Sequence, residues 1–205
     1  MTSRQSQIEQ AVKHLSKCDP VLRRLVRRFG RCTLPRRRDR FGMLVRSIIS
    51  QQISVHAARA IRGRLEASLL PAKIAPESLA KLSVDQLRSV GLSAQKASYI
   101  LDLAGKTLTG EVRFDRFRRL SDEAVIDELT KVKGIGRWTA QMLLIFSLGR
   151  LDVLAVDDQG LRGAVRDLYV LDDFPTRLEF TELARPWRPY ASIASWYCWR
   201  HVDSE

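Results

Sequence analysis

Apolar residues recur three and four positions apart along almost the whole chain, a period that admits little besides packed helices. Asp19-Pro20 has the form of an N-cap followed by a first-turn proline, where no N–H is needed. Val21, Leu22, Leu25, Val26 and Phe29 then follow at helical spacing, and Gly30 ends the run. After the basic connector RCTLPRRRDR (31–40), Phe41, Leu44, Val45, Ile48 and Ile49 make the stripe of a second helix. The pattern breaks near Gln51–Ser54 and resumes at Ala57, Ala58, Ile61 and Leu65. Ser83 with Gln86 reads as a capping box, and Ser93 and Ser121 as further N-caps. Another helix is expected after Asp158, through Leu161, Val165 and Leu168, and WRPYASIASWYCWR predicts a proline-marked turn leading into a last helix. No strand alternation stands out, so the fold class is all-α with short loops.

The chain has 205 residues, 45% of them hydrophobic, and a formal net charge of +12. A core is affordable, and the charge points to a polyanionic partner, since neutralised phosphates release their counterions. A basic membrane-surface protein is the competing reading, but no amphipathic helix pairing Trp/Phe with Lys/Arg stands out. No apolar run nears the ~18–20 residues of a spanning helix. The N-terminus lacks an apolar signal core, so the expected location is intracellular. Cys18, Cys32 and Cys198 are odd in number and scattered, which suits a reducing compartment and cannot supply an iron–sulfur cluster or a cysteine-rich zinc site.

The sharpest local signal is LTKVKGIGRWTAQMLL (129–144). A helix stops near Val132–Lys133, Gly134-Ile135-Gly136 turns, and a second helix starts at once. The two glycines permit positive φ and close backbone approach. Backbone N–H groups at the start of the second helix then face outward as a phosphate site, with Lys131, Lys133 and Arg137 around them. An ordinary αα-hairpin with a glycine turn would also give this sequence. The basic flank favours contact with a DNA backbone, which positions a protein without reading sequence.

About twenty residues further on, LDVLAVDDQGLRGAVRDLY (151–169) places two adjacent acids before a helix. Either Asp157 or Asp158 could simply cap that helix. In order, FGMLVRSIISQQIS, VKGIGRWTAQMLL, VDDQGLR and PWRPYASIASW resemble the helix-hairpin-helix (HhH-GPD) DNA glycosylases. More closely, they are similar to the 3-methyladenine DNA glycosylase II branch, from about Asp19 to about Arg200.

The resemblance implies a monofunctional DNA N-glycosylase that flips alkylated purines out of duplex DNA and excises them by hydrolysis. It places the catalytic acid on Asp158, leaving Asp157 to shape the turn or cap the helix. A carboxylate beside the sugar suits the oxocarbenium character that develops as an N-glycosidic bond breaks. Bifunctional relatives carry an amine nucleophile where this chain has Trp138, so no lyase activity is expected. The DNA wedge falls on Gln52 and Ile53. The base pocket falls on Trp138 and Trp196, with Met142 and Gln159 where bacterial relatives often carry aromatics. Trp187 and Trp199 are read as packing.

Backbone contacts fall on Lys131, Lys133, Gly134, Gly136, Arg137 and Thr139. A monovalent cation, Na+ or K+, would sit at the carbonyls of Thr130, Val132 and Ile135, and no other cofactor is implied. The resemblance further implies two helical lobes flanking a cleft, without the N-terminal sheet domain of some bacterial relatives. One lobe would be approximately 1–40 with 160–205, and the other 41–159 with the hairpin at 121–148. The implied partner is duplex DNA with damaged bases, met by a monomer, and no membrane. Two alternatives stay open: a non-catalytic hairpin DNA-binding protein, and a glycosylase for deaminated or oxidised bases.

Overall fold

Capping chemistry sets where the helices start. In the computed structural model, which describes residues 4–204, the carboxylate of Asp19 accepts the N–H groups of Val21 (2.8 Å) and Leu22 (3.1 Å), with Pro20 in the first turn. Ser83 and Gln86 bond reciprocally, and Ser93 and Ser121 each accept an N–H three residues on. The order is α1 (Arg4–Cys18), α2 (Pro20–Phe29), α3 (Arg40–Ser50), α4 (Val55–Ser68), α5 (Pro76–Leu79), α6 (Val84–Ser89), α7 (Ala94–Leu108), α8 (Asp122–Thr130) and α9 (Arg137–Leu143). A π-turn (Leu144–Leu148) follows, then α10 (Gln159–Leu168), α11 (Arg177–Leu183), a 3-10 turn (Arg185–Trp187) and α12 (Ala191–Val202). Among the described residues there is no strand, as the periodicity predicts.

The chain divides into two compact units, Met1–Arg36 with Leu144–Glu205, and Arg37–Leu143. The return boundary therefore lies at 143/144 and not near 160. The reason is local: Val153, Leu154 and Ala155 are buried, Val153 N–H donates to Ser192 Oγ (2.9 Å), and Ser192 N–H donates to the Leu151 carbonyl (3.0 Å). The segment before Asp158 is thus tied to the start of α12 and belongs with the chain termini.

In the first unit α12 packs on α10 and α2, and α1 on α2. Leu15, Leu22, Leu161, Val165, Trp187 and Tyr197 fill its core. Asp19 is a buried hub, since beyond capping α2 it accepts the Trp187 indole N–H (3.1 Å) and the Tyr169 hydroxyl. Burial and that carboxylate push the Tyr169 phenol well above its ordinary value. In the second unit α3 buries Leu44, Val45, Ile48 and Ile49 in contact with α4, α7 and α9. Glu128, also buried, accepts the Arg113 N–H (2.6 Å) and pairs with Arg116 (2.5 Å), which fixes the loop before α8.

Candidate active site

The hairpin turn lies in the second unit. Val132 N–H bonds to the Leu129 carbonyl and Ile135 N–H to the Val132 carbonyl, both at 3.1 Å, and α9 opens with Ala140 N–H on the Gly136 carbonyl. The two glycines serve different ends. Gly134 has φ +76°, and a Cβ there would fall 2.0 Å from Tyr99 Cδ2. Gly136 is not at positive φ, as the sequence reading had allowed, and a Cβ there would meet nothing within 4 Å. Its bare side faces open space, where another molecule's backbone can approach.

One side of α7 braces this turn. Asp102 Oδ2 accepts the Lys133 main-chain N–H (2.8 Å) and pairs with Lys106 (3.0 Å), whose ammonium also caps the Lys131 carbonyl (2.6 Å). Burial alone would raise the Asp102 carboxyl, but the Lys133 N–H and the Lys106 ammonium outweigh it and hold it below the ordinary aspartate value. Lys96 donates to the carbonyls of Ile49 (2.8 Å) and Gln51 (2.6 Å), and burial lowers its ammonium from the ordinary lysine value. Gln51 Nε2 donates to the Gly134 carbonyl (2.8 Å). The loop after α3 and the hairpin turn are thereby held as one piece. Nothing local in the sequence marks Gln51, Lys96, Tyr99, Asp102 or Lys106 for this role; their partners are tertiary.

Lys131, Lys133, Gly136 and Arg137 are exposed around the turn. Arg137 is not a solitary cation, because its guanidinium grips Glu123 in a two-point pair (2.9 and 2.5 Å). That pair holds the Glu123 carboxyl below its usual range. Thr139 is buried, which leaves its main-chain N–H in the first turn of α9, and not its side chain, as the group to offer a DNA backbone. Trp138 is 44% exposed, as a packing tryptophan would not be. In the loop after α3, Gln52 is exposed at φ 55°, a left-handed conformation rare outside glycine, and Ile53 is 36% exposed and not core. Both are raised on the loop that Lys96 and Gln51 anchor. Met142 is buried in the same unit.

The acid lies in the first unit. Asp158 is the N-cap of α10, only 9% exposed, and its Oδ1 accepts the Leu161 N–H (2.6 Å) and the Trp199 indole N–H (3.0 Å). The capping role thus falls to Asp158 itself. Asp157 instead forms an ion pair with Arg177 (2.6 Å) at the start of α11. Trp199 does more than pack, which corrects the sequence reading: it holds the carboxylate, and its ring lies against Phe146 of the π-turn with centroids 5.6 Å apart. Trp196, three residues back on α12, is buried against Tyr197, while Gln159 is exposed. Trp187 is core, as expected. The predicted pocket residues are therefore divided between units, Trp138 and Met142 in one, Trp196 and Gln159 in the other.

Among the described residues no group of three or more His, Cys, Asp or Glu could hold a metal ion, and no helix is long and apolar enough to cross a membrane. The carbonyls of Thr130, Val132 and Ile135 are neutral, hard oxygen donors of the kind an alkali cation takes. Val132 O already accepts one N–H, and a carbonyl has a second lone pair to offer.

Comparison with known proteins agrees with this arrangement. The model of the HhH-GPD superfamily of base excision DNA repair proteins matches residues 45–189. DNA-3-methyladenine glycosylase 1 of Schizosaccharomyces pombe is 34% identical over 192 residues, 91% of this chain and 84% of that protein. The structure of the 3-methyladenine DNA glycosylase Mag1 of S. pombe, in complex with abasic DNA, superposes with a TM-score of 0.84 at 34% identity, covering 95% of this chain and 97% of that one. A DNA-3-methyladenine glycosidase of Bacillus halodurans gives 0.86 at 36% identity over 94% of this chain and 88% of its own. With a family model across most of its length and such relatives along nearly all of it, the chain belongs to the HhH-GPD superfamily of base excision DNA repair proteins, in the branch that holds the 3-methyladenine DNA glycosylases.

Proposed function

We propose that this protein is a monofunctional DNA N-glycosylase that removes alkylated purines, such as 3-methyladenine and 7-methylguanine, from duplex DNA. The observation that carries the reading is the Asp158 carboxylate, buried and fixed at a helix N-cap in a chain of net charge +12. A carboxylate so placed can act on positive charge that develops only during reaction. As the C1′–N bond breaks, positive charge builds on the sugar, and a fixed carboxylate stabilises it without reorganising. Water then forms the new C1′–O bond, and its proton passes to the carboxylate and on to solvent. The base departs with the bond electrons, and a cationic methylpurine becomes neutral as it leaves.

The base must first leave the stack. Gln52 and Ile53, exposed on a braced loop, suit the role of wedge. Trp138, 44% exposed, offers aromatic surface to an electron-poor base. Lys131 and Lys133, with the open side of Gly136, suit the phosphate backbone. A monovalent cation held by the carbonyls of Thr130, Val132 and Ile135 would add positive charge at the same turn. Trp138 occupies the place where bifunctional relatives carry an amine, so the product is an abasic site on an intact strand. Such a protein works where DNA is, in the cytoplasm and nucleoid of a bacterium or the nucleus of a eukaryote, and as a monomer.

The test is chromatography of bases released from methylated duplex DNA by the protein. Free methylpurines are expected. Their absence, with deaminated or oxidised bases released instead, would move the substrate class. Release of no base from any duplex, with binding retained, would leave a non-catalytic hairpin protein.

A further inference from the structure

Two donors meet one oxygen of the carboxylate. Oδ1 of Asp158 takes the Leu161 N–H at 2.6 Å and the Trp199 Nε1–H at 3.0 Å. The first bond is ordinary helix capping and would be enough to start α10. The second comes from 41 residues away in sequence and adds nothing that the cap requires. What it adds is orientation. A second donor, reaching Oδ1 from α12, further restricts rotation of the group about the Cβ–Cγ bond.

The indole is itself held. The π-turn Leu144–Leu148 carries Phe146, whose ring lies against Trp199 with an interplanar angle of 31°. Single π-turns widen a helix by one residue per turn and occur often at functional sites. Both side chains are only partly exposed, and the whole chain of contacts, Phe146 to Trp199 to Asp158, lies within one compact unit. We infer that Trp199 is a positioning residue for the excision reaction: its indole N–H, steadied by Phe146, sets the carboxyl plane of Asp158 against the reacting sugar. The inference rests on the reading of Asp158 as the catalytic acid.

The test is single-turnover excision from methylated duplex DNA by Trp199→Phe, Phe146→Leu and Asp158→Asn beside the wild type, with DNA affinity and thermal melting measured for each. Trp199→Phe keeps a ring beside Phe146 and leaves the Leu161 cap intact, but deletes the N–H. A hydrogen bond to a charged group is worth a rate factor of about 10 to 100 when lost. Excision by Trp199→Phe is therefore expected to slow by that factor, with the half-saturating protein concentration and the melting temperature close to wild type. Phe146→Leu, which leaves the N–H in place and unsteadied, is expected to slow it by a smaller factor; it keeps the test decisive if Trp199→Phe fails to fold. An excision rate within twofold of wild type in both variants overturns the inference. So does a loss confined to melting temperature or affinity, which would make Trp199 a packing residue. If Asp158→Asn excises at the wild-type rate, the fault lies with the assignment of the acid, and the inference falls with it.

Discussion

Asp102 Oδ2 accepts the main-chain N–H of Lys133 at 2.8 Å, so an acid on α7 supports the turn of a hairpin that carries Lys131, Lys133 and Arg137. The same carboxylate holds Lys106, and Lys106 holds the Lys131 carbonyl. The hairpin turn is thus shaped by charge-assisted bonds from α7.

Asp102→Ala should accordingly weaken binding to damaged and undamaged duplex DNA alike, by about three- to tenfold, less than the full worth of a charge-assisted bond because the brace acts on DNA only through the shape of the turn. Excision from fully bound DNA should change little. Equal affinities for variant and wild type in a fluorescence-anisotropy titration would show that the turn does not need the brace.

The same residue sets an acid dependence. Its folded value lies below the ordinary one. Its stabilising contribution is therefore complete above the unfolded value of about 3.9 and is lost as the pH falls through the lower folded value. Melting of the wild type should fall more steeply across that acid window than melting of Asp102→Ala. Parallel curves would remove Asp102 from the account of acid stability.

Gly134→Ala should be costly for two separable reasons, a positive φ and a Cβ placed 2.0 Å from the Tyr99 ring. The backbone part alone is about 1–2 kcal/mol. Gly134→Ala combined with Tyr99→Ala should regain the steric part and keep the backbone part. Full recovery, or none, in denaturant unfolding would contradict this division.

Lys131→Ala and Lys133→Ala should each weaken all duplex DNA and reduce the slope of log affinity against log salt by about 0.9, one phosphate contact apiece. Glu123 pairs with Arg137 beside the turn, so Glu123→Gln should tighten general DNA binding by removing a negative charge there. Salt titrations that leave these slopes unmoved would take the lysines off the DNA.

Trp138, where an amine would be needed for strand cleavage, predicts no covalent enzyme–DNA complex on borohydride treatment with a methylated substrate. A trapped band would show a Schiff base and a lyase step.

Much of the fold was legible because its signals are local. Asp19-Pro20, Ser83 with Gln86, Ser93 and Ser121 each cap a helix as read, since a cap needs only residues two or three apart. The capping box of Thr176 with Glu179 that opens α11 is a local signal of the same kind, left unread in the sequence. The hairpin was equally visible in GIG. The supports of the site were not, because Asp102 lies 31 residues from Lys133 and Trp199 41 residues from Asp158. No periodicity encodes such pairs. That the Thr139 side chain is buried was hidden for a related reason: a position beside an exposed tryptophan says nothing of which side of a short helix meets the core.

The most direct measurement is single-turnover release of methylpurine from duplex DNA by the wild type and by Asp158→Asn, with lesion-DNA binding measured for both. Asn keeps an oxygen for the Leu161 and Trp199 donors but carries no charge. The account predicts a wild type that releases methylpurine, and a variant that binds as well and barely excises. Excision by Asp158→Asn at near the wild-type rate would contradict it.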